Sequence, residues 1–343
     1  MLFCPSLKKW LSTLVPAALL FSSCQRELQN PDPDPPGTSG NTWVLKNKMV
    51  EGFATTAGHL PYRKSTGFYY DPVSMIIIAK DTNNDNQAYT EYMMSYDLQG
   101  RLMKVKDDGT FILKQEKLLV YDGNGLLEKV TYKDPAGATT HEGSFQWTQE
   151  GSGFVGHYTD PAAPGGVFSE GNRIFILNDQ RKLMRTIDVS RDPAVGDQQN
   201  EVLRNAQQSV AIRKFASKEN NRFVVSDSMV YTRETTYPSR LSSFYGLISK
   251  GITWFSDDYG ISFMPSLHYY NEYFEYENDL AKKVVYYSTS TDPSGNRVVI
   301  KKAEINLIAV YDKYQNPVKL TVNFGGEKQA VITFVWQKIS WVN

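Results

Sequence analysis

The feature that most constrains this chain is a unit that recurs along it. A short run of alternating apolar residues ends in tyrosine, an Asp-led turn follows, and a second alternating run returns. The clearest copy runs from Met93 through Tyr96-Asp97-Leu98-Gln99-Gly100-Arg101-Leu102 to Val105. A second runs from Leu118 through Tyr121-Asp122-Gly123-Asn124-Gly125 to Val130, and a third from Ile308 through Tyr311-Asp312 to Leu320. Degenerate copies stand at Tyr70-Asp71, Leu177-Asn178-Asp179 and Tyr276-Glu277-Asn278-Asp279-Leu280. Period-two alternation around a turn is the pattern of a β-hairpin. Asp or Asn opens such a turn because its side chain accepts bonds from backbone N–H groups just ahead. Gly100 and Gly125 can take the positive φ that a tight hairpin requires. The chain holds 21 Tyr and 17 Phe, a composition that with Thr and Val favours strands. The expected fold class is all-β, an antiparallel meander of hairpin repeats.

Tyr96-Asp97-Leu98-Gln99-Gly100-Arg101-Leu102 resembles the YD repeat of Rhs-type and wall-associated proteins, and Tyr121-Asp122-Gly123-Asn124-Gly125-Leu126-Leu127 lacks only its Arg. The spacing is less regular than in the large spiralling shells of that family. The chain is more similar to the smaller surface lipoproteins of Bacteroidota that carry such hairpins. In that resemblance the motif marks a hairpin and not a catalyst.

A larger duplication is also legible. The stretches 92–147 and 275–336 each carry Tyr-turn units and end in an aromatic strand, Gln146-Trp147 and Val335-Trp336. Phe111 to Asp122 runs parallel to Val299 to Asp312 with two extra residues. Two similar β-sheet units that stack or pair are expected. Between them, Asp192-Pro193 and Gly196-Asp197 break the chain. Gln198 to Ala206 reads as a short helix capped by Asp197, and Val210 to Phe215 alternates as a strand would.

The first 23 residues read as a signal peptide. Lys8 and Lys9 precede a mostly apolar run from Trp10 to Phe21, too short for a membrane span of roughly 20 apolar residues. The run ends in Leu20-Phe21-Ser22-Ser23-Cys24, which resembles a lipobox, with Phe21 where an aliphatic residue is usual. The resemblance implies acylation at Cys24, which becomes the mature N-terminus. Cys4 is then lost with the signal peptide, leaving no thiol and no disulfide. Residues 24–41 form a spacer rich in Pro and Asp (Asn30-Pro31-Asp32-Pro33-Asp34-Pro35-Pro36) with little to bury. Acidic residues behind the cysteine resemble the surface-export signal of Bacteroidota lipoproteins. Residues 42–343 are the β domain, long enough to bury roughly three quarters of its unfolded surface.

Net charge over the whole chain is zero, with no basic stripe along the sequence, so nucleic acid and anionic headgroups are disfavoured as partners. The four histidines, His59, His141, His157 and His268, form no ligand cluster, and no cofactor is expected. His141 and His157 flank the strand around Phe145 and Trp147, where they could meet across a hairpin; the favoured reading is two solvated turn residues. Asp81-Thr82-Asn83-Asn84-Asp85-Asn86 has oxygen ligands at the first, third and fifth places of a calcium loop. It lacks the glycine and the closing glutamate, so Asp81 to Asp85 is read as a hairpin turn. There is no Gly-x-Ser-x-Gly elbow. The densest aromatic region is Trp254-Phe255 with His268-Tyr269-Tyr270-Asn271-Glu272-Tyr273-Phe274-Glu275-Tyr276. Its rings are either packed between sheets or offered to a flat polar ligand such as a sugar, with Trp254, Tyr269 and Tyr273 as the binding candidates. The functional expectation is a non-catalytic binding or structural module of the cell envelope. It would be held at the outer membrane by lipid, with glycans or envelope proteins as partners. The alternative is a surface glycan hydrolase using two of Asp257, Asp258, Glu272 and Glu275.

Overall fold

The structure, a computed structural model, describes residues 41–52, 62–83, 89–109, 114–161, 168–190, 196–206, 208–238, 241, 244, 247, 279–325 and 329–340. Eighteen strands run through them. The first six are β1 (Asn41–Gly52), β2 (Tyr62–Asp71), β3 (Ile76–Asn83), β4 (Tyr89–Tyr96), β5 (Leu102–Gly109) and β6 (Gln115–Tyr121). Next come β7 (Leu127–Lys133), β8 (Thr139–Glu150), β9 (Gly153–Thr159), β10 (Phe168–Leu177), β11 (Leu183–Ser190) and β12 (Gln198–Arg204). The last six are β13 (Val210–Glu219), β14 (Arg222–Pro238), β15 (Asp279–Thr291), β16 (Arg297–Tyr311), β17 (Pro317–Asn323) and β18 (Gln329–Ser340).

Each strand pairs antiparallel with the next, and β1 pairs with β18 from Asn41↔Ser340 to Gly52↔Ala330. The meander therefore closes on itself as an up-and-down barrel with no free edge. The described strands of 92–147 (β4–β8) and 275–336 (β15–β18) are sectors of one sheet that neither stack nor pair with each other, separated by β1–β3 on one side and β9–β14 on the other. The segment read as a helix from Gln198 is instead β12. Its alternation wins, with Asn200 and Val202 buried on one face, and Asp197 bonds Ser190 N and Lys218 rather than capping a helix. Val210 to Phe215 lies in β13, as expected.

The barrel encloses a packed core. Every strand gives at least one side chain to a single apolar cluster, among them Leu45, Ile77, Met94, Leu119, Phe175, Val202, Val284, Leu320 and Phe334. Between β14 and β15, the helical residues Leu241 and Phe244 are fully buried in that cluster, and Phe244 meets Phe68 of β2 edge-on at 5.1 Å. Each buried side chain of this size contributes about 1.5–3 kcal/mol.

The end of the barrel at which β1 begins is called the near end. Five hairpins turn there in one geometry, led by Asp97, Asp122, Asn178, Asn205 and Asp312. In each, the leading residue's N–H bonds the carbonyl four residues on, and its carbonyl accepts the N–H three residues on. Its side-chain oxygen accepts the N–H four residues on as well. The fourth residue takes positive φ: Gly100 and Gly125 as expected, but Arg181 (58°), Gln208 (62°) and Gln315 (64°) elsewhere. Two turns at the far end, led by Asp134 and Asp292, repeat the geometry.

A β-bulge follows each of the five near-end turns, as Tyr96↔Leu102, Tyr121↔Leu127 and Tyr311↔Pro317 show. The ladder to the next hairpin stops short of it: the last pairs are Lys104↔Leu118, Lys129↔Ser144, Arg185↔Glu201, Ile212↔Val230 and Lys319↔Thr333. The first carbonyl of the returning strand is thus buried beyond the ladder and needs another donor. The following hairpin supplies it from a side chain. Tyr121 Oη reaches Leu102 O at 2.7 Å, and Trp147 Nε1 reaches Leu127 O at 2.7 Å. Arg204 reaches Leu183 O at 3.0 Å, Arg233 Nε reaches Val210 O at 2.8 Å, and Trp336 Nε1 reaches Pro317 O at 2.7 Å. Tyr70 Oη does the same for Leu45 O at 2.5 Å. The Arg of the Tyr-Asp-x-x-Gly-Arg-Leu motif completes the joint: Arg101 pairs with Asp97 at 2.7 Å and lies over the Tyr121 ring.

The Trp147 ring reaches its carbonyl only by lying across Gly156, where a Cβ would come within 2.5 Å of it. Trp147→Phe keeps the ring and removes the donor, leaving a buried carbonyl unpaired. Urea unfolding is expected to show a loss of about 1–3 kcal/mol. Gln315→Gly relieves a left-handed side chain and is expected to gain about 1 kcal/mol in the same assay.

Candidate functional site

Inward-facing positions toward the far end carry charge rather than hydrocarbon. On β1–β3, Lys48 and Lys64 flank Asp81, with Lys64 Nζ at 3.0 Å and Thr66 Oγ1 donating to it at 2.5 Å. On β5 and β6, Lys117 Nζ holds Asp107 at 2.8 Å, both buried. On β10 and β11, Arg173 pairs with Asp188. Beside them lie Thr186, Asn200 and Arg213, all buried. Neither amide atom of Asn200 has a hydrogen-bond partner among the described residues. His141 of β8 stacks on Tyr132 of β7 at 4.0 Å and lies 3.6 Å from the buried Asp160, just beyond β9.

The strands bring these groups together by register. Asp81 pairs across with Thr66, and Asn200 with Thr186, so each shares a face with its neighbour. Asp81, Asp107 and Asp188 are each engaged by a basic side chain. Those pairs tie neighbouring strands together in register. Burial lowers the Lys48 ammonium to about 7, although Asp81 opposes the shift.

The sign of its effect on stability follows. Lys48 binds its proton more weakly in the fold than in the unfolded chain. The unfolded state therefore holds more protons between pH 7 and pH 10.5, and stability rises with pH across that window. Melting curves of the wild type and Lys48→Met across that range check this. The difference is expected to move in favour of the wild type as pH rises, and a constant difference would contradict it.

Asp81, Thr82 and Asn83 are not turn residues. They continue β3, and Asp81 faces the interior, so the anticipated turn is confined to the β3–β4 connection, whose residues 84–88 lie outside the described residues. His141 and His157 sit in β8 and β9 rather than in turns. They do not meet: His157 pairs with Gln146 and is exposed, whereas His141 pairs with Tyr132. Trp254, Tyr269 and Tyr273 lie outside the described residues, as do Asp257, Asp258, Glu272, Glu275, Cys24, His59 and His268. The charged belt escaped sequence reasoning because Lys48, Lys117 and Arg213 alternate with apolar residues in the manner of a wet face.

The outward face is ionic as well. Lys104 meets Glu116 at 3.4 Å, Lys129 meets Glu142 at 2.7 Å, and Glu201 bridges Arg185 and Lys214. Glu304 bridges Lys301 and Lys283, whose hydrogen bonds, Lys301 first, hold its carboxyl down at about 2.

No family model and no curated protein matches the chain. Among solved structures it is similar to a porin-like protein from Bacteroides uniformis, with 10% identity and a TM-score of 0.37 over 85% of this chain and 98% of that one. A porin-like protein from Bacteroides vulgatus gives 8% identity and a TM-score of 0.32 over 86% and 98%. The TcdB2-TccC3 complex gives 10% and 0.26 over 82% of this chain and 15% of that one. Likeness at this level carries no inference about activity.

Proposed function

We propose that the mature protein is an envelope lipoprotein, acylated at Cys24, whose barrel stands in water beside the membrane as a non-catalytic binding or structural module. The observation that carries this reading is the outward face. A membrane-spanning barrel needs an apolar band about 25 Å tall, and a Lys or Arg at its midplane costs roughly 2–4 kcal/mol. Here Lys104, Lys129, Arg185, Lys214 and Lys283 face outward around the barrel in ion pairs. The large apolar cluster lies inside the wall, whereas a spanning barrel carries its apolar band outside. With such a wall, membrane attachment has to come from outside the barrel, and the Leu20-Phe21-Ser22-Ser23-Cys24 sequence supplies a lipid attachment point.

The interior belt supports a structural role, since the carboxylates Asp81, Asp107 and Asp188 are committed to basic partners. Capture of glycans belongs to the aromatic segment between β14 and β15, with Trp254, Tyr269 and Tyr273 as the stacking residues. Glycan-array binding by the mature chain, lost in Tyr269→Ala/Tyr273→Ala, is the result expected for that ligand class.

Cell fractionation tests the tether. The wild-type protein is expected in the membrane fraction with acyl mass on its N-terminal peptide. Cys24→Ser with a cleavable signal peptide in place of the native one is expected to be soluble without detergent. Retention of that variant in the membrane would overturn the reading.

A further inference from the structure

We infer that the β6–β7 turn at the near end carries a site for a tetrahedral oxyanion of the phosphate or sulfate class, held between Arg101 and Arg181. Two guanidinium groups from turns far apart in the chain converge on Gly125. A Cβ built on that glycine would lie 3.5 Å from Arg181 Nη1 and 3.6 Å from Arg101 Nη1. Both nitrogens therefore border one small space, on the side of Gly125 where any other residue would carry its side chain. Arg101 uses Nε for Asp97, and Arg181 uses Nη2 for the carbonyl of Asn124 at 2.8 Å. Neither Nη1 has a hydrogen-bond partner among the described residues. Arg181 reaches this place from a distance. It leaves the β10–β11 turn, passes over the Phe154 ring of β9 at 5.8 Å, and ends at the β6–β7 turn. Its own backbone is left-handed, with φ at 58°, where the matching turns hold Gly100 and Gly125. That conformation is costly to a residue with a Cβ, so the turn itself does not call for arginine. An outlier kept against its cost points to a use for the side chain.

The donors set the ligand class. A guanidinium nitrogen donates and accepts nothing, so the space between the two calls for an acceptor. The protein's own carboxylates are committed or turned elsewhere. Asp97 is taken by Arg101 at 2.7 Å, and Asp122 Oδ1 accepts from the N–H groups of Asn124 and Leu126. Asp179 shares a turn with Arg181, yet Arg181 has no ion pair among the described residues. A planar carboxylate is satisfied by one guanidinium fork. A tetrahedral oxyanion turns its oxygens in diverging directions and accepts from two forks at once, at about 2.8 Å from each. Arg181 and Asn124 are exposed, so the site is open to solvent and added salt weakens it.

Titration of the purified protein with inorganic phosphate, followed by melting temperature, tests the site. Phosphate and sulfate also stabilise proteins by exclusion from their surface, and that rise does not saturate. Arg181→Gln shares it and sets the baseline. The difference between wild type and Arg181→Gln is expected to grow with phosphate or sulfate and then level off, as site binding does. Sodium acetate at the same ionic strength is expected to give no such difference. Arg181→Gln is expected to weaken phosphate about tenfold, the loss of one charge-assisted hydrogen bond. Arg181→Gly, which the left-handed position accepts, should lose binding equally. Arg185→Gln, the same charge change on the outward wall, should leave phosphate binding as in the wild type. Glucose 6-phosphate separates two sources of the group. A rise equal to that with inorganic phosphate extends the site to phosphorylated saccharides, and a rise with inorganic phosphate alone confines it to the free ion. In nitrogen-15 spectra the Nε–Hε signals of Arg101 and Arg181 are expected to shift together along the phosphate titration. Equal loss in Arg181→Gln and Arg185→Gln, a saturating effect of acetate as large as that of phosphate, or shifts confined to other arginines would each overturn the site.

Discussion

The seam between β1 and β18 is the interaction on which the rest of the structure depends. An antiparallel meander of eighteen strands has two edges unless its ends meet. Each open edge would present a row of unpaired backbone groups. Eleven register partners join the first strand to the last and remove both edges at once. Closure also decides which face is inside. Once the sheet is a ring, the apolar side chains of every strand meet in one cluster, and the ionic side chains of the other face meet water.

Closure creates a second demand. A sheet closed by short hairpins flares where neighbouring hairpins part, and carbonyls at the flare are buried without ladder partners. The near end answers with one device used repeatedly: an Asx turn, a bulge, and a long donor side chain from the next hairpin. Tyr121, Trp147, Arg204, Arg233 and Trp336 all fill this place, and Tyr70 donates in the same way to Leu45 O at the β1 bulge. Phenol, indole and guanidinium are interchangeable here because each combines reach with an N–H or O–H at its far end. At the far-end turns led by Asp134 and Asp292, the equivalent residues Thr139 and Arg297 are exposed, so a carbonyl there needs no protein donor. At Tyr70 and Tyr121 the Tyr before Asp does two things at once, ending its strand and donating to a carbonyl of the strand before it.

The hairpins themselves were legible because an Asx turn is local chemistry. Tyr96-Asp97 and Tyr121-Asp122 announce the turn, and Gly100 and Gly125 its left-handed residue. Asp134-Pro135-Ala136-Gly137 and Asp292-Pro293-Ser294-Gly295 carry the same signal without the tyrosine, and a search keyed on Tyr passes over them. Arg181, Gln208 and Gln315 hide three left-handed positions behind residues that do not advertise them. Gln198 to Ala206 misled because Asp197 looks like a helix cap when its real partners, Ser190 and Lys218, are supplied by neighbouring strands. The parallel between Trp147 and Trp336 was visible as two aromatic strands, but their shared role required the bulge register. Buried lysines were illegible for a similar reason. Alternation says which residues share a face, and only closure says which face is dry.

Hydrogen–deuterium exchange across the seam tests the closed barrel most directly. If β1 and β18 pair as described, amides in 43–52 and 330–340 are protected to the same degree as those of β2 and β17. Exchange of alternate amides in β1 or β18 within seconds, while β2 and β17 stay protected, would show two open edges and contradict a closed barrel.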